Sequence, residues 1–417
     1  MPAYVVSLAA LESNARILRE VADAADCRIA LALKGFACWK AFPALAPHLD
    51  GCCASGLWEA RLARDHFGGP KKEILAYSPA YTRLEIAELC KFATQIDFNS
   101  PEQWLRFRSL ATAHPRHRAG ELSFGLRVNP EHSTAFTPLY DPCAPGSRLG
   151  ATADQLARLT EAELDGITGI HFHTLCEQNA GDLESTLAAV DSKFGDLLRS
   201  PRIRHFNMGG GHWITKPKYD REKLIDLVRL ARKHFDVDVW LEPGEAAAVH
   251  TGVLRATVLD VFESAGLRHA VLDVSASAHM PDILEMPYRP AVFLAERQTP
   301  ASIPRAPDSG VPRPAVVFRN ESYLPALDPS DAEAADSVAH RLAGPTCLAG
   351  DVIGDFAFPR PLACGDTLVF DDMAHYTMVK TTFFNGVPHP DIVLQHPDKT
   401  LETIRRFTYE DFRNRLA

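Results

Sequence analysis

Short apolar runs recur along the chain at residues 29–33, 51–54, 74–77, 95–98, 124–128, 167–172, 203–207 and 237–241. Runs of this length, bounded by polar residues, fit strands buried on both faces. Between them, apolar positions repeat every three or four residues, which fits amphipathic helices. One stripe is Leu8, Leu11, Ala15, Leu18 and Val21, with Ser7 placed to cap it. A second is Leu183, Leu187, Val190, Phe194 and Leu197; a third, after Asp220, is Leu224, Leu227, Val228, Ala231 and Phe235. Thr82 with Glu85, Ser100 with Gln103, and Thr152 with Gln155 have the spacing of a capping box. Pro101 falls at a first helical position, where its missing N–H costs nothing.

Eight strands alternating with helices predict an α/β fold, a (β/α)8 TIM-type barrel over residues 8–245. Periodicity does not prove closure, so an open doubly wound sheet is the structural alternative. From residue 246 the beat changes. Strands are predicted at 253–261, 269–274, 368–370, 376–383 and 391–394, with Pro-rich connections around 300–314 and a helical pattern at 330–342. This predicts a C-terminal all-β domain over 246–417, joined by a strand from residues 1–7.

In a barrel, chemistry collects at the C-terminal ends of the strands. Lys34 follows the first apolar run, His171 and His173 close the sixth, Gly209-Gly210-Gly211 follows the seventh, and Glu242 follows the eighth. A lysine at the end of an apolar strand is costly as a cation, and desolvation makes it a nucleophile toward aldehydes. Taken alone it is more often a lysine that snorkels to the rim. The glycines let backbone N–H groups converge on a phosphate, although a lone triple glycine is also a plain turn. His171 and His173 share one face of a strand. They fit metal ligands of a barrel hydrolase, one histidine stacked on a flat ring, or a pair of satisfied structural histidines. No His-Glu-x-x-His or Gly-x-Ser-x-Gly motif supports the hydrolase readings. Glu242 is placed either to hold a proton on a cofactor's ring nitrogen or to pair with a basic loop residue. A lysine for an aldehyde, glycines for a phosphate, a stacking histidine and a carboxylate for a pyridine nitrogen together describe pyridoxal 5'-phosphate.

Composition narrows the partners. The chain has 417 residues, 46% apolar and 23% charged, with Lys and Arg at 44 against Asp and Glu at 53, a net charge of −9. The acidic balance argues against nucleic acid as the main partner. The N-terminus lacks the basic and apolar regions of a signal peptide, and no uncharged apolar run is long enough to span a membrane. Nine scattered cysteines with no Cys-x-x-Cys pair suggest reduced thiols in a cytoplasm, and no metal site is expected.

This set of residues resembles the alanine-racemase-like (fold type III) pyridoxal-phosphate decarboxylases, which include ornithine, diaminopimelate and arginine decarboxylases. The resemblance covers nearly the whole chain. The phrases at 169–177, 207–212 and 347–351 resemble most the branch that decarboxylates carboxynorspermidine and carboxyspermidine. The resemblance implies that Lys34 carries the cofactor, His173 stacks on its ring, Gly209, Gly210 and Gly211 hold its phosphate, and Glu242 pairs with its ring nitrogen. It further implies that Tyr376 lies near the phosphate and that Cys347, reaching in from a second subunit, reprotonates the substrate carbon. Asp273 then binds the distal amine, in a homodimer whose C-terminal domains complete shared active sites. Asp351, and behind it Asp355, are further candidates to hold amines of a polyamine chain. Two departures stand out. Leu175-Cys176-Glu177 replaces a Gly-Ser after the stacking histidine, and Glu245 stands where ornithine and diaminopimelate decarboxylases have an arginine near the phosphate. Acidic residues there repel phosphate and attract cations, so Glu177 and Glu245 are substrate candidates and a long polycation with a carboxylate is the expected substrate. The rivals are another amino acid for the same cofactor, a metal-dependent hydrolase using His171 and His173, and a cofactor-carrying protein without catalysis.

Overall fold

A computed structural model describes residues 1–135, 137–297, 312–318 and 321–417. The chain forms two compact units, Glu12–Ala247 and Met1–Leu11 with Ala248–Ala417.

In the first unit eight parallel strands close into a barrel. They are Arg28–Ala32, Gly51–Ala54, Glu73–Tyr77, Gln95–Phe98, Ser123–Arg127, Ile167–His171, His205–Asn207 and Asp238–Leu241. The last strand pairs with the first, Arg28 opposite Trp240 and Ile29 opposite Leu241, which rules out the open sheet. Strand alternation turns every second side chain inward. Ala30, Cys53, Leu75 and Trp240 thereby form one buried apolar cluster. Nearer the C-terminal ends, Asp97, Arg127, His171, Asn207 and Glu242 are polar and still buried. The barrel interior is therefore oily below and polar at its mouth.

Local signals set the helices. Thr82 and Thr152 form reciprocal capping boxes with Glu85 and Gln155. Ser100 accepts the N–H of Gln103, with Pro101 in the first turn. Asp220 caps Arg221–Phe235 by accepting the Lys223 N–H. On the outer wall Phe98, Trp104 and Phe124 pack as tilted rings, and the fully buried Trp104 donates its indole N–H to the Glu163 carbonyl at 2.7 Å.

The second unit is built on a branched ten-stranded sheet. Ala3–Ser7 lies between Gly252–Ser264, antiparallel, and Asp391–Gln395, parallel. Thr367–Phe370, Val292–Arg297 and Glu321–Pro325 extend one side; Leu267–Leu272, Val338–Ala343 and Val352–Phe358 form the branch. Tyr4, Leu254, Leu294, Phe356, Phe358 and Phe370 belong to its core.

Two local expectations fail here. The helical pattern at 330–342 is a single tight turn, Ala332–Ala334, followed by the strand Val338–Ala343. Pairing on both edges of that strand, with Leu267–Leu272 and Val352–Phe358, overrides its helical spacing. Residues 376–383 are rich in β-formers but fold as a turn around Thr377–Val379. Lys380 is drawn to Asp282 at 2.5 Å and Glu285 at 3.0 Å, and Thr382 N–H donates to the Ala278 carbonyl, so the segment cannot lie flat. The Pro-rich connection around 300–314 lies largely outside the described residues.

Removing the indole of Trp104 leaves both a void and an orphaned carbonyl. Trp104→Ala is expected to cost about 3 to 5 kcal/mol. The check is the urea midpoint of the far-UV circular dichroism transition, which should fall; an unchanged midpoint would show that the outer-wall packing contributes little.

Candidate active site

The mouth of the barrel gathers groups from nearly every strand. Lys34 stands two residues beyond the first strand, whose end is tied down by Ala32 N–H to the Pro243 carbonyl and Leu33 N–H to the Cys53 carbonyl. Protein surrounds its side chain, which nevertheless keeps accessible surface, as a group facing into a depression does. Burial, and after it the positive charge of Arg127, pushes its ammonium below the usual lysine range.

His173 fixes what Lys34 meets. Its Nδ1 accepts the Gly210 N–H at 2.8 Å, and its Nε2 lies 3.3 Å from Lys34 Nζ. Burial, then the Lys34 charge, holds the imidazole well below its usual pKa, hence neutral. A neutral ring that accepts at Nδ1 carries its proton on Nε2. The hydrogen bond then joins His173 to the Lys34 amine, whose uncharged form is the nucleophile. Arg127 supports this arrangement by donating to the His173 carbonyl at 3.0 Å while lying over the Tyr77 ring at 4.6 Å.

The glycine loop is packed against the strand ends. Gly209 and Gly211 have φ of 70° and 83°, a region other residues enter only with strain. A Cβ on Gly209 would stand 2.5 Å from the Phe172 carbonyl oxygen, and one on Gly211 would stand 2.1 Å from that of Leu175. The N–H groups do not all converge outward as the bare sequence suggests. Gly209 donates to Asn207 Oδ1 at 2.9 Å and Gly210 to His173, which leaves the Gly211 N–H without a partner among the described residues.

Glu242 is 5% exposed. Its Oε1 accepts from Asn207 Nδ2 at 2.5 Å, and its Oε2 lies 3.6 Å from His171 Nε2. Asn207 thus links the carboxylate to the glycine loop. On the far side of His171, Nδ1 lies 3.1 Å from Asp97 Oδ2. The two histidines therefore have different tasks, and among the described residues no group of three or more His, Cys, Asp or Glu is arranged to hold a metal ion.

Glu245 is already answered. Lys216 Nζ and the Trp213 indole N–H each lie 3.1 Å from its Oε1, and the Lys216 ammonium sits 3.6 Å from the Trp213 ring centre. Glu177 is exposed, with φ of 55°, in the loop beyond the sixth strand.

The other predicted residues belong to the second unit. Asp273 accepts the Thr257 N–H at 2.7 Å across an irregular strand pairing. Burial raises its carboxyl above the usual range. Cys347 is exposed, its own N–H held by Asn385 Oδ1 at 2.8 Å. Asp351, only 3% exposed, is not a surface carboxylate but the clamp of that loop. Its Oδ1 accepts from Ser275 Oγ at 2.9 Å and Ser277 N–H at 3.2 Å, and its Oδ2 accepts from Thr346 Oγ1 at 2.7 Å. Asp355 is engaged by Arg341 in a two-pronged pair at 2.7 and 2.8 Å. Tyr376 has φ of 41°, in the left-handed region, at the start of the turn that carries Lys380. Asp97, Tyr77, Arg127 and Asn207 escaped the sequence reading. Asp97 and Arg127 were findable as charged residues inside apolar strands, Gln-Ile-Asp-Phe and Phe-Gly-Leu-Arg.

These residues fit pyridoxal phosphate: a lysine whose cation is disfavoured for the aldehyde, a neutral imidazole beside it, a buried carboxylate for the ring nitrogen and a glycine loop with one donor to spare. Known proteins agree. The family model described as pyridoxal-dependent decarboxylase, C-terminal sheet domain, matches residues 3–374. A carboxyaminopropylagmatine decarboxylase of Synechocystis sp. is 41% identical over 100% of this chain and 95% of its own. A carboxynorspermidine/carboxyspermidine decarboxylase of Campylobacter jejuni is 39% identical over 99% of this chain and 97% of its own. The crystal structure of carboxynorspermidine decarboxylase from Campylobacter jejuni, complexed with norspermidine, matches at a TM-score of 0.80 and 37% identity, covering 100% of this chain and 99% of that one. With a closed barrel, a lysine-bearing mouth and full-length relatives in agreement, the chain belongs to the pyridoxal-dependent decarboxylases of fold type III.

Proposed function

We propose that this chain decarboxylates carboxynorspermidine, carboxyspermidine or both, giving norspermidine and spermidine in polyamine biosynthesis, as a cytoplasmic homodimer with shared active sites. The observation that carries the reading is Lys34, its ammonium disfavoured by burial, 3.3 Å from a neutral His173 in the mouth of the barrel. Full-length similarity to carboxynorspermidine/carboxyspermidine decarboxylases supports the substrate class. All nine cysteines are free, in keeping with a reducing compartment, and among the described residues no helix is long and apolar enough to cross a membrane.

When bound, pyridoxal phosphate supplies an electron-poor ring that takes up the electron pair left at the α-carbon as carbon dioxide departs. The chain's own residues do the rest. Lys34 offers the amine that anchors the aldehyde. His173, fixed by the Gly210 N–H, would pack against the ring. Glu242, itself held by Asn207, would keep a proton at the ring nitrogen. The Gly211 N–H would be available to donate to the phosphate, and Lys216 offsets the charge of Glu245. Cys347 delivers a proton to the α-carbon, from a loop that Asp351 and Asn385 hold in shape. Asp273 and Glu177 remain candidates for the distal amines. Asp351 serves them only through the loop it clamps.

A second reading has its own support, since a 41% identical relative is a carboxyaminopropylagmatine decarboxylase. That substrate class ends in a guanidinium, a planar fork that wants a two-oxygen acceptor where an ammonium needs only a point charge. Carbon dioxide release from carboxynorspermidine, carboxyspermidine, carboxyaminopropylagmatine, diaminopimelate, ornithine and arginine, measured side by side, separates the readings. Release from the two carboxylated polyamines, at kcat/KM at least about tenfold above the rest, is expected. Preference for the guanidinium substrate supports the second reading, and turnover of only the amino acids overturns both.

Cys347→Ala should retain the cofactor's visible absorbance and lose about 10²- to 10⁴-fold in kcat, the usual range for a positioned proton donor. Asp351→Asn should mimic it more weakly, because the neutral amide keeps the shape of the clamp but cannot accept at both ends. Unchanged turnover in Cys347→Ala would remove that residue from the chemistry.

A further inference from the structure

Asp97, His171 and Glu242 form a buried row across the mouth of the barrel, of which the reaction as described uses only Glu242. Their side chains are 2%, 2% and 6% exposed. The imidazole stands between the two carboxylates, 3.1 Å from Asp97 and 3.6 Å from Glu242. Neither ring nitrogen makes an aligned hydrogen bond, so what couples the three is charge. The row is built in. A Cβ on Gly125 would stand 2.2 Å from Asp97 Oδ1, so the fifth strand gives up a side chain to admit the carboxylate. Gln95 Nε2 donates to the same oxygen at 2.7 Å, and the Tyr77 ring meets the imidazole edge-on at 5.4 Å between centres.

Two carboxylates this deep cannot both stay ionised without a cation between them. The other groups facing Glu242 do not supply one: Asn207 is neutral, and the Cys53 thiol, hydrogen-bonded to Glu242, is driven well above its ordinary range by burial and that carboxylate, so it stays protonated. Arg127 is committed to Tyr77 and the His173 carbonyl, and the Lys34 amine faces His173 and, on this reading, is taken up by the cofactor's aldehyde. His171 is left as the group that balances the row.

We propose that His171 is a positioning residue that carries the countercharge of Asp97 and so keeps the Glu242 carboxylate fully available to the cofactor's ring nitrogen. The proposal rests on the reading that Glu242 faces that nitrogen. Without the imidazole, Asp97 and Glu242 compete for one proton, and a protonated Glu242 loses its hold on the ring. Without the imidazole and the Asp97 charge together, there is nothing to balance and Glu242 is restored.

The test compares purified, cofactor-loaded wild type, His171→Gln, Asp97→Asn/His171→Gln and Glu242→Gln. It reads the visible absorption of the bound cofactor across pH alongside kcat and KM. His171→Gln should lower kcat at least about tenfold with KM within about threefold, and its visible band should gain a pH dependence the wild type lacks. The double variant should recover kcat to within about threefold of wild type and lose that pH dependence. A double variant no better than His171→Gln, or a His171→Gln enzyme like the wild type, overturns the proposal, since a packing role is worsened by a second substitution. If His171→Gln does not fold, the comparison is read as yield of soluble coloured protein: recovery in the double variant supports the proposal and failure of both overturns it. Glu242→Gln tells the two levels apart. Normal colour and rate there would sink the assignment of Glu242, whereas an impaired Glu242→Gln beside a normal His171→Gln sinks only the role of His171.

Discussion

Charge balance in the mouth of a closed barrel is the constraint on which the rest depends. Below the mouth the interior is apolar, with Ala30, Cys53, Leu75 and Trp240 in one cluster. Above it the inward positions are ionisable, and each is met by a specific partner. Arg127 lies over Tyr77 and bonds the His173 backbone, Glu242 is held by Asn207, and His171 stands between Asp97 and Glu242. In so dry a place an unpartnered charge costs several kcal/mol, so groups either pair or give up their charge. His173 gives it up, and Lys34 is pushed the same way, which moves a costly lysine toward a useful amine.

The barrel was legible because its signals are local. Short apolar runs, capping residues such as Thr82 and Thr152, and turn positions such as Asp220 all sit within a few residues of what they determine. Lys34, His173, the glycine loop and Glu242 were legible for the same reason, each marking the end of a strand. The second unit was harder because its strands are defined by partners far away in sequence. Val338–Ala343 carries a helical spacing and is a strand only because Leu267–Leu272 and Val352–Phe358 lie on either side. Residues 376–383 carry strand composition and fold as a turn because Asp282 and Glu285 pull on Lys380.

Site roles divided along the same line. A residue type shows that a carboxylate is present, not what answers it. Glu245 reads as a cation receptor in the sequence, yet Lys216 and Trp213 already occupy its oxygen. Asp351 reads as a holder of substrate amines, yet its oxygens are taken up in clamping the loop that presents Cys347. Asp97 passed unnoticed within an apolar strand, although a buried aspartate there has no purpose in packing and needs the space left by Gly125. In each case the missing fact was a partner supplied by tertiary structure.

The central claim is that Lys34 is the amine that anchors the pyridoxal aldehyde. The most direct measurement is borohydride reduction of the cofactor-loaded protein, followed by proteolysis and mass mapping of the modified lysine. The account predicts one reduced adduct, on the peptide that contains Lys34, and its disappearance in Lys34→Ala. An adduct on any other lysine, or a loaded protein that yields none, would contradict it.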